Sequence, residues 1–320
     1  MKNESTTNTP YDDVFRTLLN YCSPLIIPVI NEIFGEHFSG QEKIVFSPNE
    51  HFLNQQGGNE KERITDTSFM IQGKETKKYH LECQSNADNS MLIRFFEYDT
   101  QIALDEGEIR GNVLTVTLPH SAVLFLRYHT STPDTLKIKI ATPGGTLEYD
   151  IPVMKSQRYS LNEIFEKDLL LLIPYYIFSH EKQFEEYEKD KLKLEILLNE
   201  YEHIKNKLED FMNQKVISEY IRCTLIDMSN KVLEHIAAKY KSIKEGVKSV
   251  MGGKVLEYEA KTIKREGIKE GLEEGLKEGI KEGIKGTVSI LRNLGIPQQT
   301  ILSKIQEQYN LSPEASEKYL

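Results

Sequence analysis

The chain predicts an α/β domain followed by a helical extension, and three observations carry that prediction. Between residues 43 and 151, short alternating or β-branched runs read as strands. Amphipathic stretches before and among them give the order α-β-β-β-α-β, with further strands after it. From Glu181 the composition shifts to Glu, Lys and Leu at three-four spacing. The length, 320 residues, suits one medium domain with helical extensions, or two domains.

Residues 1–10 are polar and are expected to be disordered, and the main domain is expected over 11–180. Its first segment, Asp12 to about Phe38, carries Phe15, Leu18, Leu19, Leu25, Ile26, Val29, Ile30 and Ile33 at helical spacing, with a break near Pro24 and Pro28. Strands are expected at Lys43–Phe46, at two hairpin segments Arg63–Ile71 and Tyr79–Gln84, and at Leu114–Thr117, Ala122–Tyr128, Leu136–Ile140 and Thr146–Ile151. Between the hairpin and Leu114, the stretch Ser90–Leu104 fits an amphipathic helix through Met91, Leu92, Phe95, Phe96, Tyr98, Ile102 and Ala103. The apolar run Leu169–Phe178 reads as buried core, being shorter than the about 20 residues a membrane span needs.

The hairpin is the most informative stretch. In Tyr79–Gln84, side chains alternate faces, so Tyr79, Leu81 and Cys83 point one way and His80, Glu82 and Gln84 the other. A turn centred on Lys74 sets Phe69 against Tyr79 and Asp66 against Glu82. Opposed carboxylates with Cβ atoms roughly 4.5–5.5 Å apart repel, so a cation is expected between them. A solvent-facing hairpin with outward polar residues fits the local pattern equally well. His80 is expected to be an exposed strand histidine rather than a ligand.

Residues 181–265 are expected to form a helical, coiled-coil-like region. Its seam, Tyr187, Leu194, Leu198, Tyr201 and Leu208, is interrupted by Lys191 and Lys205. Residues 266–286 repeat Glu-Gly-Ile/Leu-Lys/Glu with a four-residue period, which drifts around a 3.6-residue helix. Each interior glycine costs a helix about 1 kcal/mol against alanine, so a partly helical spacer is expected. Residues 287–320 carry Ile290, Leu291, Leu294, Ile301, Ile305 and Leu311 around a Gly295-Ile296-Pro297 turn, suggesting short helices.

Composition narrows the function. A formal charge of −9 argues against coating nucleic acid by bulk charge, so any DNA contact is local. The three cysteines, Cys22, Cys83 and Cys223, have neither disulfide nor zinc spacing. The polar N-terminus lacks the apolar stretch of a signal peptide, so a cytoplasmic, non-membrane protein is expected.

Asp66, followed after fifteen residues by Glu82-Cys83-Gln84, resembles the D…ExQ variant of the PD-(D/E)xK nuclease core. The wider chain is similar to the recombination-promoting nuclease and transposase-like branch of that superfamily. Asp12-Asp13-Val14-Phe15-Arg16 resembles its D-x-x-F-(K/R) start, and Arg94 and Tyr98 match its R-x-x-x-Y helix. The resemblance covers roughly 11–180. It departs from the superfamily name in having Thr65 before Asp66 and Gln84 in place of the lysine; a glutamine carries no positive charge but orients water through its amide.

The resemblance implies a restriction-endonuclease-like core and Mg²⁺-dependent endonuclease activity on DNA, in recombination, mobile elements or defence. It makes Asp66 and Glu82 ligands of one or two Mg²⁺ ions, with Mn²⁺ as a substitute, and Gln84 the residue that positions the attacking water. Arg94 contacts a phosphate or braces the carboxylates, or forms a structural ion pair. Asp12 caps the first helix or joins the site, and Glu32 is a further acidic candidate. A homodimer through the C-terminal helices would provide two cutting sites. A non-catalytic DNA-binding or scaffold protein on a degenerate core, and a ribonuclease or toxin using the same residues, stay open as alternatives.

Overall fold

The computed structural model describes residues 10–46, 50–54, 60–64, 68–85 and 90–252, and most of 279–319. Contacts divide the chain into two compact units, Met1–Glu257 and Tyr258–Leu320. The first is an α/β structure on a mixed six-stranded sheet.

Helix α1 (Pro10–Tyr21) opens the unit, a short 3₁₀ turn follows at Ser23–Leu25, and α2 (Ile26–Phe34) continues. The break falls at Cys22–Leu25. Pro28 instead lies in the first turn of α2, where a missing N–H removes no helical bond. Gly35 ends α2 at φ +65°, a left-handed cap that suits glycine. The chain turns by 111° between the two helical segments, and among the described residues no single helix is long and apolar enough to cross a membrane.

Strands β1 (Lys43–Phe46), β4 (Ser68–Gln72) and β5 (Thr76–Gln84) form an antiparallel meander. Between the first two, β2 (Glu50–Asn54) and β3 (Glu60–Ile64) pair as a separate ribbon that the sequence did not suggest. The expected strand Arg63–Ile71 is therefore two, since Ile64 closes β3 and Ser68 opens β4. The register is the one the turn at Lys74 predicts, with Phe69 opposite Tyr79.

After β5 comes α3 (Met91–Asp105), a small exposed hairpin of β6 (Glu108–Arg110) and β7 (Val113–Thr115), and then β8 (His120–Phe125), which runs parallel to β5. The expected sheet strand at Leu114–Thr117 thus belongs to a ribbon outside the main sheet. Strand β10 (Gly145–Lys155) is parallel to β8 and antiparallel to β9 (Thr135–Thr142), which completes the order β1-β4-β5-β8-β10-β9.

Both sheet faces are covered. Tyr79, Leu81, Cys83, Ala122 and Leu124 join α1 and α2 in the larger core, whereas Val123, Phe125 and Ile151 meet Met91 and Phe95 of α3 on the other side. Leu169–Phe178 is buried as expected, almost all of it in a run of 3₁₀ turns, Leu170–Gln183. Arg127, just past β8, clamps that run by a two-pronged bond to Glu181 and by packing 4.5 Å over Phe178.

A short helix α4 (Leu161–Glu166) precedes that run, and helices α5 (Phe184–Lys189), α6 (Lys191–Asn213), α7 (Glu219–Ile236) and α8 (Lys241–Met251) share this larger core rather than forming a region apart. The seam breaks where Asp190 caps α6, accepting from the backbone N–H of Leu192 and Lys193. The stripe Leu197, Tyr201, Ile204 and Leu208 is buried within the chain.

In the second unit, Ile284 and Val288 pack with Ile301 and Ile305 of a helix at Gln298–Tyr309. Residues 253–265 of the expected helical region and most of the Glu-Gly repeat lie outside the described residues, as do residues 1–9.

Phe69 and Tyr79 are fully buried and stacked, centroids 5.8 Å apart. Phe69→Ala should lower unfolding stability by about 3–5 kcal/mol. Urea denaturation checks this, with a reduced midpoint at constant slope as the expected result.

Candidate active site on the α3 face of the sheet

Strand β5 lies between β4 and β8 in the interior of the sheet, so backbone pairing occupies both its edges. Side-chain alternation then sends His80, Glu82 and Gln84 toward α3. His80 is 0% exposed and Glu82 3%, which overturns the expectation of an exposed histidine on a half-solvated hairpin. Gln84, nearest the carboxyl end of the strand, is half-buried.

Buried this way, the polar groups satisfy one another. His80 Nδ1 lies 2.7 Å from Asp99 Oδ1 and Nε2 lies 3.2 Å from Glu82 Oε1. Ionised carboxylates only accept, so both ring nitrogens donate and the ring is an imidazolium. Burial alone would lower the His80 pKa, but the bonds to Asp99 and Glu82 and the two negative charges outweigh it and raise it to about 9. Gln84 Nε2 donates to Glu82 Oε2 at 3.1 Å, so both oxygens of Glu82 are oriented by neighbours on its own strand.

Asp99 is the residue that sequence reasoning missed. It sits on the buried face of α3, accepts from Ser121 Oγ of β8 at 2.7 Å and lies 3.5 Å from the Tyr149 hydroxyl of β10. Burial and the charge of Asp99 push the Tyr149 phenol up, so it stays a donor. The signal was present: Asp99 follows Phe95 by four residues and precedes Ile102 by three, an acid on the apolar stripe of an amphipathic helix. Phe95 and Tyr98 of the same helix pack edge-on against the His80 ring.

The other candidates are distributed as follows. Asp66 lies outside the described residues. Arg94 is on α3, five residues before Asp99, half-buried with its Nε and Nη2 shielded from solvent. Asp12 is in the first turn of α1 and Glu32 is on α2, both helices of the opposite layer. Glu32 Oε1 is bonded to Tyr159 and to Lys167 Nζ, the latter at 2.6 Å, so it belongs to that ion pair.

The donor set bears on a metal in two ways. Glu82 offers a carboxylate, a ligand type suited to a hard cation such as Mg²⁺. Ser68, fully buried opposite His80, has a hydroxyl without a hydrogen-bond partner, so the cluster holds an unfilled polar position. Among the described residues, however, no group of three or more His, Cys, Asp or Glu side chains is placed to hold an ion.

Comparison with protein-family models, with curated proteins and with solved structures gives no match.

His80 gains its proton affinity by folding, so its contribution to stability is complete below about pH 6.5 and is lost as pH rises through about 9, an effect on the order of 3 kcal/mol. Unfolding stability measured from pH 6 to pH 10 should fall over that window in the native chain. A His80→Asn variant should be less stable at pH 6 and lack that component of the slope.

Proposed function

We propose that the chain is a metal-dependent nuclease acting on DNA, built on a restriction-endonuclease-like core of the PD-(D/E)xK type, with the helices beyond residue 181 as its extension. One observation carries the reading. Glu82 and Gln84 stand side by side on the helix-covered face of an interior strand, in a sheet whose β4–β5 register pairs Phe69 with Tyr79. That is the same alignment from which Asp66 and Glu82 were read as a facing pair. The meander β1-β4-β5, the helix α3 and the parallel strand β8 supply the element order expected of such a core once the two ribbons are set aside.

Asp66 and Glu82 would hold the ion, which when bound supplies acidification of water and charge neutralisation at phosphate. The residues in view define the rest. The imidazolium of His80 fixes Oε1 of Glu82, while Asp99 holds His80. Gln84 fixes Oε2 through its Nε2, which leaves its amide oxygen to accept a hydrogen bond from a water and aim it. The position at the carboxyl end of parallel strands β5, β8 and β10 is where open α/β sheets bind ligands.

A second reading has its own support. With both oxygens of Glu82 engaged by protein donors, the cluster also suits a purely structural polar core in a DNA-binding or scaffold protein.

Nicking of supercoiled plasmid separates the two. Cleavage should require Mg²⁺, fail in EDTA, and drop by about 100-fold or more in Asp66→Ala and in Glu82→Gln, as loss of a metal ligand implies. Undiminished cutting by either variant would remove these residues from the site. A folded wild type that cuts nothing with any divalent ion would favour the structural reading, and an RNA substrate run in parallel reports the ribonuclease alternative.

A further inference from the structure

Helix α3 is apolar on two opposite faces. Its inner face, with Met91, Phe95, Tyr98 and Ile102, is buried against the sheet. On the outer face Ile93 is 63% exposed, Phe96 41% and Leu104 46%, and the three fall within about 80° of helical arc. A helix packed on a sheet normally turns a polar face outward, so large apolar side chains on the outer face are suited to a partner.

The apolar surface continues into the hairpin that follows. Leu104, Leu114 and Val116 gather around Gly107, where an added Cβ would stand 3.2 Å from Leu114 Cδ1 and 3.4 Å from Val116 Cγ1. Ile109 is 76% exposed. Every paired residue of β6 and β7 is exposed, and these two strands form a sheet of their own. A lone two-stranded hairpin is marginal in water, and an apolar edge strand invites pairing.

We propose that this band, the outer face of α3 with the β6–β7 hairpin, is where a second copy of the chain docks. Two arguments select that occupant. The six large apolar side chains Ile93, Phe96, Leu104, Ile109, Leu114 and Val116 stand 41–76% exposed on one helix and the hairpin that follows it, the kind of grouped apolar exposure that marks an association surface. The edge strand is also self-complementary. When β6 pairs antiparallel with its own copy about a two-fold axis at Ile109, Glu108 of each copy falls opposite Arg110 of the other. Glu108 and Arg110 already contact each other at 2.7 Å within one chain, so the pairing closes an alternating ring of four charges. The inference is independent of the nuclease reading.

Sedimentation velocity on the full chain across the micromolar range tests it, with circular dichroism confirming the fold of each variant. The native chain should be a dimer. Ile109→Asp, Glu108→Arg and Arg110→Glu should each raise the dimer dissociation constant by at least about tenfold, and the double exchange Glu108→Arg with Arg110→Glu should regain the native value. A native chain that stays monomeric throughout, a dimer that the single variants leave unchanged, or a double exchange no tighter than the singles would each overturn the proposal.

Discussion

A strand buried on both faces has no water for a charged side chain, and β5 carries His80, Glu82 and Gln84 in succession on one of its faces. Their polar groups are therefore satisfied by one another and by neighbouring side chains inside the protein. The histidine takes a second proton and stands between two carboxylates, and the amide takes the remaining oxygen of Glu82. The second carboxylate arrives from α3, and its other partners come from β8 and β10. One polar network thus joins three parallel strands to the helix that covers them, and α3 is oriented on the sheet by hydrogen-bond geometry as well as by the packing of Met91 and Phe95.

Stability alone gives little reason for such a network. A buried ionic cluster is often matched or exceeded by well-packed apolar side chains, whereas removing one member leaves an uncompensated charge that costs about 3–5 kcal/mol. Once present, His80, Asp99 and Glu82 hold each other in place. Burial is also graded along the strand: His80 and Glu82 are sealed, while Gln84 opens toward the carboxyl edge. A carboxylate held at both oxygens beside a partly accessible amide has its geometry set before any ligand arrives.

Much of the fold was legible because it rests on local patterns. The turn at Gly73-Lys74-Glu75 and the alternation from Tyr79 onward predict the register at Phe69 and Tyr79, and apolar spacing locates α1, α2 and α3. Long-range covering was not legible. Alternation at His80, Glu82 and Gln84 looks the same whether water or a helix lies above it, so the burial of His80 follows only from the docking of α3. Likewise Leu114 has strand character, but nothing local says that it pairs with Ile109 instead of joining the main sheet. The change in composition at Glu181 suggested a boundary; the chain continues its core through Tyr201 and Leu225 to Met251 because an amphipathic stripe does not reveal whether its partner is a neighbouring helix or a sheet domain.

The same ambiguity bears on α3. Its inner stripe and its outer stripe are built from similar residues, and among the described residues the inner one is buried in a core cluster while Ile93 and Phe96 of the outer one are exposed. Asp99 distinguishes them, because an acid on an apolar stripe commits that face to a specific polar counterpart, and His80 supplies it. The outer face, with Ile93 and Phe96, has no such polar anchor, so its contacts are less exacting in geometry. A helix with one face tied by hydrogen bonds to the candidate site and the other open to association connects the two surfaces through a single rigid element. Any displacement of α3 by a partner would have to break or re-form the bond between Asp99 and His80, and hence reach Glu82 through a chain of two hydrogen bonds.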